Sequence, residues 1–226
     1  MSDISIEAAR ALDDADPLPT RRHEFAIPIR PDGSEEVYLV GNSLGPRPHR
    51  AVERVNEELE AWARLGVRGH TEGEHPWMPY HEFLTEPLAR IVGAEPDEVV
   101  AMNALTVNLH LMLATFYRPQ GRRHRVLVEE HAFPSDHFAV ESQIRWHGLD
   151  PAESLVTVGP RPGAATLEVA DVLDTIERLG DELALVLLPG VQYYTGQVLP
   201  LAEITTAAHA VGATVGFDLA HAVGNV

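Results

Sequence analysis

Two residue types are missing altogether from this 226-residue sequence, cysteine and lysine. Without cysteine there are no disulfides, no thiolate metal sites and no sulfur nucleophile. That composition accords with a reducing cytoplasm. Without lysine, all 17 basic residues are arginine. A coding bias toward arginine accounts for the pattern, but its chemical consequence stands. A guanidinium stays protonated and cannot serve as an amine nucleophile. Basic charge is itself scarce, 17 residues against 34 acidic ones, for a net charge of −17. Such a surface repels phosphate backbones and anionic lipids, so neither a nucleic acid nor a membrane is expected as a partner. Its ordinary effect is solubility. No apolar run approaches the ~20 residues of a membrane helix. The opening, MSDISIEAARALDDADP, has no basic segment followed by an apolar stretch, so no signal peptide is expected. Internal repeats and low-complexity segments are also lacking.

What is present has a normal globular balance, 45% apolar and 23% charged. The length suits one α/β domain of ordinary size. Residues 1–35 are polar and punctuated by proline, and predict a leading arm with one short helix. From Pro48 to Leu65 the pattern is helical. Val52, Val55, Leu59 and Trp62 fall on one stripe, and Gly66 is placed to stop the helix. Residues 66–79 are rich in Gly, Pro and His, a loop composition common at sites. Residues 80–92 return to a helical pattern that Pro87 should kink or interrupt.

From about residue 98 short β-type runs alternate with helical ones. The runs lie at 98–102, 125–129, 154–158, 183–188 and 213–217, with helical segments at 106–117, 135–147, 167–179 and 201–211. That alternation predicts βαβ units and a mainly parallel sheet flanked by helices. The run LALVLL at 183–188 is apolar throughout, as a strand covered on both faces should be. The chain divides on this reading into an N-terminal arm and helix, 1–65, and an α/β domain, 66–226. The pattern stops just after a strand, so the sheet is expected to be incomplete at its C-terminal end.

In open parallel sheets, ligands bind beyond the carboxyl ends of the strands. After 98–102, Thr106 sits near a helix start. It is either a plain cap or part of a phosphate cradle of free N–H groups. After 125–129 come Phe133, Pro134, Ser135 and Asp136. Phe133 is a core residue or a surface for a planar ring, and Asp136 is a first-turn acid or a hydrogen-bond acceptor in a site. After 183–188, Tyr193 and Tyr194 either pack or offer hydroxyls. After 213–217 comes Asp218, and then His221. An acid ending an apolar strand suits the ring nitrogen of pyridoxal 5'-phosphate; with His221 it could instead join a metal site. A phosphate cradle, a ring-stacking Phe and a ring-nitrogen acid on one edge of one sheet together favour the pyridoxal-phosphate reading. Neither G-x-G-x-x-G nor G-x-x-x-x-G-K-[ST] occurs, so nucleotide folds have no fingerprint here.

Five segments carry a closer likeness: GNSLG at 41–45, MNALTVNLH at 102–110, FPSDH at 133–137, YTGQ at 194–197 and GFDLAHAVGN at 216–225. In order and wording they resemble kynureninase, a fold-type-I pyridoxal-phosphate enzyme family of tryptophan breakdown and NAD biosynthesis. The resemblance runs from about residue 38 to the last residue. It implies that Leu105 and Thr106 hold the cofactor phosphate, and that Phe133 stacks on the ring with Ser135 and Asp136 beside it. It further implies that Asp218 pairs with the ring nitrogen and that His221 lines the pocket. Ser43 and His70 would lie on the substrate side. Where family members commonly carry Ser before Gly190, this chain has Pro189, which has no hydroxyl for the phosphate. The implied reaction is hydrolysis of L-kynurenine, or its 3-hydroxy form, to anthranilate (or 3-hydroxyanthranilate) and L-alanine by a cytoplasmic homodimer. In the family the Schiff-base lysine follows the FDLAHAVGN stretch, and this sequence contains none. The expectation is a kynureninase N-terminal part, with no catalytic residue of its own and inactive alone. The alternatives are a non-catalytic pyridoxal-phosphate-binding or partner protein, and a related aminotransferase or desulfurase of the same fold.

Overall fold

The computed structural model describes residues 5–226. By its internal contacts the chain divides into two compact units, Met1–His75 and Pro76–Val226.

In the first unit, helix α1 spans Ile6–Ala15, and the Ser5 side chain caps it by accepting the Ala8 N–H at 3.2 Å. A two-residue antiparallel ladder pairs β1, Phe25–Ala26, with β2, Arg47–Pro48. Helix α2 follows directly at His49–Leu65 and stops at Gly66, whose φ of +55° a residue with a side chain rarely adopts. The stripe Val52, Val55, Leu59 and Trp62 lies on α2 as expected, and all four side chains are exposed. A 3-10 turn, Gly66–His70, begins the loop that the Gly and His content predicted.

The second unit is the α/β body. Helix α3, Glu82–Val92, runs through Pro87 without a break in its assignment. Helix α4 spans Leu105–Phe116. The alternation expected beyond it is present: β3 at Arg125–Glu129, α5 at Pro134–Trp146, a single turn α6 at Pro151–Ser154, β4 at Leu155–Val158, α7 at Val169–Leu179, β5 at Leu183–Pro189, α8 at Leu201–Ala210 and β6 at Thr214–Asp218. The four strands form one parallel sheet in the order β4-β3-β5-β6.

One expected strand is absent. Residues 98–102 end a 3-10 turn and continue without a ladder partner, and Val100 is half exposed. An apolar run becomes a strand only where a neighbouring strand takes up its N–H and C=O groups. Here the run leads into α4 instead.

Both faces of the sheet are covered. On one side Leu127, Val186 and Leu188 pack with Val172, Ile176, Ile204 and Ala208 of α7 and α8. On the other, Val126, Val128 and Leu187 pack with Leu109, Leu113, Val140 and Ile144 of α4 and α5. This double burial explains the unbroken apolar run in β5. The alternation of faces slips once along β5. Ala184 and Leu185 both belong to the α4–α5 side, because the register with β3 shifts between Arg125 and Val126.

Candidate functional site

The strand order fixes where a site can form. From β3 the chain crosses to β4 on one side, then returns through α7 to β5 on the other. The carboxyl ends of β3 and β5 therefore flank the point where the winding reverses, and open sheets bind ligands at such a point. A small cavity of about 20 Å³ lies there. Glu129, Phe133 and Asp136 line it from the β3 side, Tyr193 from the β5 side, and Asp218 and His221 from β6 and the turn after it.

Each of these residues is placed by local chemistry. Phe133 is the residue before α5, and Pro134 opens the helix, where its missing N–H costs nothing. Ser135 and Asp136 thus occupy the first turn, where the helix dipole favours an acid. The Asp136 N–H donates to the Phe133 carbonyl at 2.9 Å, and the Ser135 hydroxyl donates to Asp136 Oδ1 at 3.2 Å. Asp218 ends β6 opposite Pro189, and its Oδ1 accepts the Ala220 N–H at 2.8 Å. The Gly190 N–H donates to the Asp218 carbonyl at 2.8 Å. That approach requires glycine: a Cβ on Gly190 would stand 2.6 Å from Leu219 Cδ2 and 3.1 Å from Ala222 Cβ.

The electrostatics are unusual for a surface cleft. Asp136 is only 7% exposed. Burial first, and then the neighbouring Asp218 carboxyl, push its pKa up to about 7, while Ser135 opposes the shift. Glu129 is deeper still, 3% exposed, and its Oε2 has no hydrogen-bond partner among the described residues. Burial raises its pKa too, against the nearby Gln192 and His131.

Three rings close the cavity's rim. Phe133 meets Tyr193 edge to face at 5.3 Å between ring centres, and His221 lies 6.3 Å from Phe133 and 6.0 Å from Tyr193. Tyr194, in contrast, points outward and is exposed. A wider hollow of about 390 Å³ adjoins, sharing Glu129 and Tyr193 with the cavity and extending past His131 and Gln192.

The structure therefore brings Phe133, Asp136, Asp218 and His221 together, with Ser135 bonded to Asp136. Leu105 and Thr106 form the first turn of α4, which packs against α5. Thr106 is not its cap. Ala104 occupies that position, and no side chain caps the helix. Instead Asn108 folds back, its Nδ2 donating to the Asn103 carbonyl at 3.0 Å and its Oδ1 accepting the Asn103 N–H at 3.2 Å. The first-turn N–H groups of α4 thus lack a side-chain acceptor. Ser43 sits exposed in a turn, its N–H donating to the Val40 carbonyl at 3.0 Å, and His70 is exposed at the end of its 3-10 turn. Both belong to the first unit. No group of three or more His, Cys, Asp or Glu side chains able to hold a metal occurs among the described residues. Glu129 and Gln192 were not singled out as site residues by the sequence. The available signal was an acid ending the apolar strand RVLVE.

The model of the family aminotransferase class-V matches residues 37–226. The kynureninase of Koribacter versatilis is 54% identical over 224 residues, 99% of this chain and 53% of its own length. That of Myxococcus xanthus is 56% identical over 218 residues, 96% of this chain and 51% of its own length. The chain thus spans about half the length of the curated relatives it matches. Among solved structures, a mutant of C-DES with glycine covalently linked to its PLP cofactor superposes with a TM-score of 0.73 at 20% identity, covering 92% of this chain and 51% of that one. DndA from Streptomyces lividans superposes with a TM-score of 0.59 at 24% identity, covering 79% of this chain and 48% of that one. At such identities the likeness establishes the fold. With the family model covering residues 37–226, the chain belongs to the aminotransferase class-V family.

Proposed function

We propose that this protein is the cofactor-binding part of a kynureninase and that its cofactor is pyridoxal 5'-phosphate. The observation that carries the reading is the convergence of Phe133, Asp136, Asp218 and His221 on the switch-point cavity. They converge in a chain more than half identical to two kynureninases. The donor set fits the cofactor. An acid at the end of a strand, with a second carboxyl beside it in the same cavity, suits a ring nitrogen that must stay protonated. An uncapped helix start suits a phosphate, which Leu105 and Thr106 would hold through N–H groups and a hydroxyl.

When bound, the cofactor supplies an electron sink for charge that develops on the substrate. The chain's own residues bind and orient it. Asp218, fixed by the Ala220 N–H, presents a carboxylate to the ring nitrogen. Asp136, steadied by Ser135, supports it from α5. Phe133 offers a ring surface, and His221 lines the pocket beside it. Ser43 and His70 serve the substrate side.

The reaction on this reading is that of a hydrolase acting on C–C bonds in ketonic substances. L-kynurenine or 3-hydroxy-L-kynurenine yields anthranilate or 3-hydroxyanthranilate and L-alanine, a step of tryptophan catabolism and NAD biosynthesis. The setting is a cytoplasmic homodimer. These 226 residues contain no lysine. No side-chain amine here can anchor the cofactor covalently, so this chain alone is inactive. The same absence supports a second reading, a non-catalytic protein that binds the cofactor without turnover.

A chimera separates the two. This chain is joined to the remaining C-terminal half of the Koribacter versatilis kynureninase and given L-kynurenine. Release of fluorescent anthranilate by the chimera, and none by the 226-residue chain, is expected. A folded chimera that binds pyridoxal phosphate yet releases no anthranilate would favour the non-catalytic reading.

A further inference from the structure

The segment between β5 and α8 is a narrow hairpin. Its arms meet at a bridge between Val191 and Val198, and the Leu199 N–H returns to the Gly190 carbonyl at 3.1 Å. Just past that bridge sits Gln192, 4% exposed although it belongs to a loop. Its side-chain oxygen takes three hydrogen bonds: from the Tyr194 N–H at 2.6 Å, the Thr195 N–H at 2.8 Å and the Thr195 hydroxyl at 3.3 Å. Its Nε2 donates to the His131 carbonyl at 3.3 Å, and the side chain lies close enough to the Glu129 carboxyl to oppose the rise in its pKa. The main chain closes the same loop, Gln192 N–H to the Gln197 carbonyl and Gly196 N–H to the Gln192 carbonyl, both at 2.9 Å. On its other flank, Gln197 is tied to Leu167, which donates its N–H at 2.8 Å and accepts Nε2 at 2.7 Å.

One amide therefore shapes the turn that carries Tyr193 and fastens that turn to the exit of β3. Phe133 leaves from the same exit, and the Tyr193 ring lies edge-on to Phe133. We infer that Gln192 is a positioning residue: through its bonds to residues 194–195 and to the β3 exit, it sets the Tyr193 ring against Phe133 and thereby shapes the cofactor cavity. A buried carboxamide suits the task because it accepts from the turn and donates to the neighbouring strand at once. The hydrocarbon of a leucine fills similar space and does neither. The part concerning the cofactor rests on the pyridoxal-phosphate reading; the placement of Tyr193 does not.

The test uses the 226-residue chain labelled with 3-fluorotyrosine. Its five tyrosines give a small set of 19F resonances, and Tyr193→Phe assigns the one of interest. Pyridoxal 5'-phosphate affinity is measured alongside by equilibrium dialysis. In Gln192→Leu the Tyr193 resonance should shift and broaden while those of Tyr38 and Tyr80 stay, and cofactor affinity should fall about tenfold. The exchange Glu129→Gln with Gln192→Glu keeps one carboxyl and one carboxamide in contact, and should restore both readouts to within about threefold of the parent. A folded Gln192→Leu with an unmoved Tyr193 resonance and parental affinity would overturn the inference. If Gln192→Leu does not fold, the exchanged pair decides. A parental Tyr193 resonance supports the inference, and a displaced one in a folded protein overturns it. If the parent binds no pyridoxal phosphate, the proposed function fails, and the resonance alone judges Gln192.

Discussion

Asp136, in the first turn of α5, and Asp218, at the end of β6, line the same cavity, and each carboxyl feels the other there. The folded chain therefore holds a proton on Asp136 more tightly than an unfolded one would. Burial is the larger cause, the neighbouring carboxylate the smaller. The sign of the pH dependence follows. A folded-state pKa raised from 3.8 to about 7 stabilises the fold fully below the unfolded value, and that contribution is lost as pH rises through about 7. Asp136→Asn keeps the shape and a donor but removes the titration. Its melting temperature should change less between about pH 4 and pH 7 than the parent's, measured at constant ionic strength. Equal slopes for the two proteins would mean that the pKa of Asp136 is not raised in the fold.

Two glycines should respond oppositely to alanine, although added methyl groups would collide at both. At Gly190 the new Cβ meets Leu219 and the Cβ of Ala222, on the turn that carries Asp218 and His221. Gly190→Ala should cost about 1–3 kcal/mol and weaken cofactor binding, because that turn must shift. At Gly159 the main obstacle is the carboxyl end of the exposed Glu130 side chain, with the Glu130 Cβ also tight at 3.2 Å. Glu130 can swing into solvent, so Gly159→Ala should melt within about a degree of the parent. Thermal denaturation of the two variants, with pyridoxal-phosphate titration of each, checks both statements.

Tyr117 is fully buried at the end of α4, and its hydroxyl donates to the His124 carbonyl at 2.6 Å. Burial pushes its pKa up to about 12. In an alkaline titration watched in the ultraviolet, one tyrosine should therefore ionise only as the protein unfolds. Tyr117→Phe should abolish that step and cost about 1 kcal/mol, roughly 3 °C in a domain of this size. A late step that persists in Tyr117→Phe would assign it to another tyrosine.

The strands that form the sheet were legible because their residues are covered on both faces. Runs such as LALVLL carry that signal without reference to anything distant. The site acids Asp136 and Asp218 were legible because the chain order places them just past strand ends, where parallel sheets keep their ligands. Residues 98–102 misled because apolar character says nothing about a hydrogen-bonding partner, which only the assembled sheet can supply. Thr106 misled because Ala104 takes the extended conformation at the start of α4, which places Thr106 inside the first turn, and no side chain caps that turn. Gln192 could not be read from sequence at all. Its role depends on His131 and Glu129, some sixty residues earlier, which the β3–β5 pairing brings alongside it.

On the proposed function, these 226 residues supply the ring and phosphate contacts of pyridoxal phosphate but no side-chain amine to anchor it covalently. The direct measurement is a pyridoxal 5'-phosphate titration of the parent chain and of Asp218→Ala, followed by borohydride reduction and peptide mass mapping. The account predicts saturable binding by the parent, binding weakened about tenfold or more in Asp218→Ala, and no reduced cofactor on any side chain. Equal binding by both proteins, or a reduced cofactor mapped to a side chain within the sequence, would contradict it.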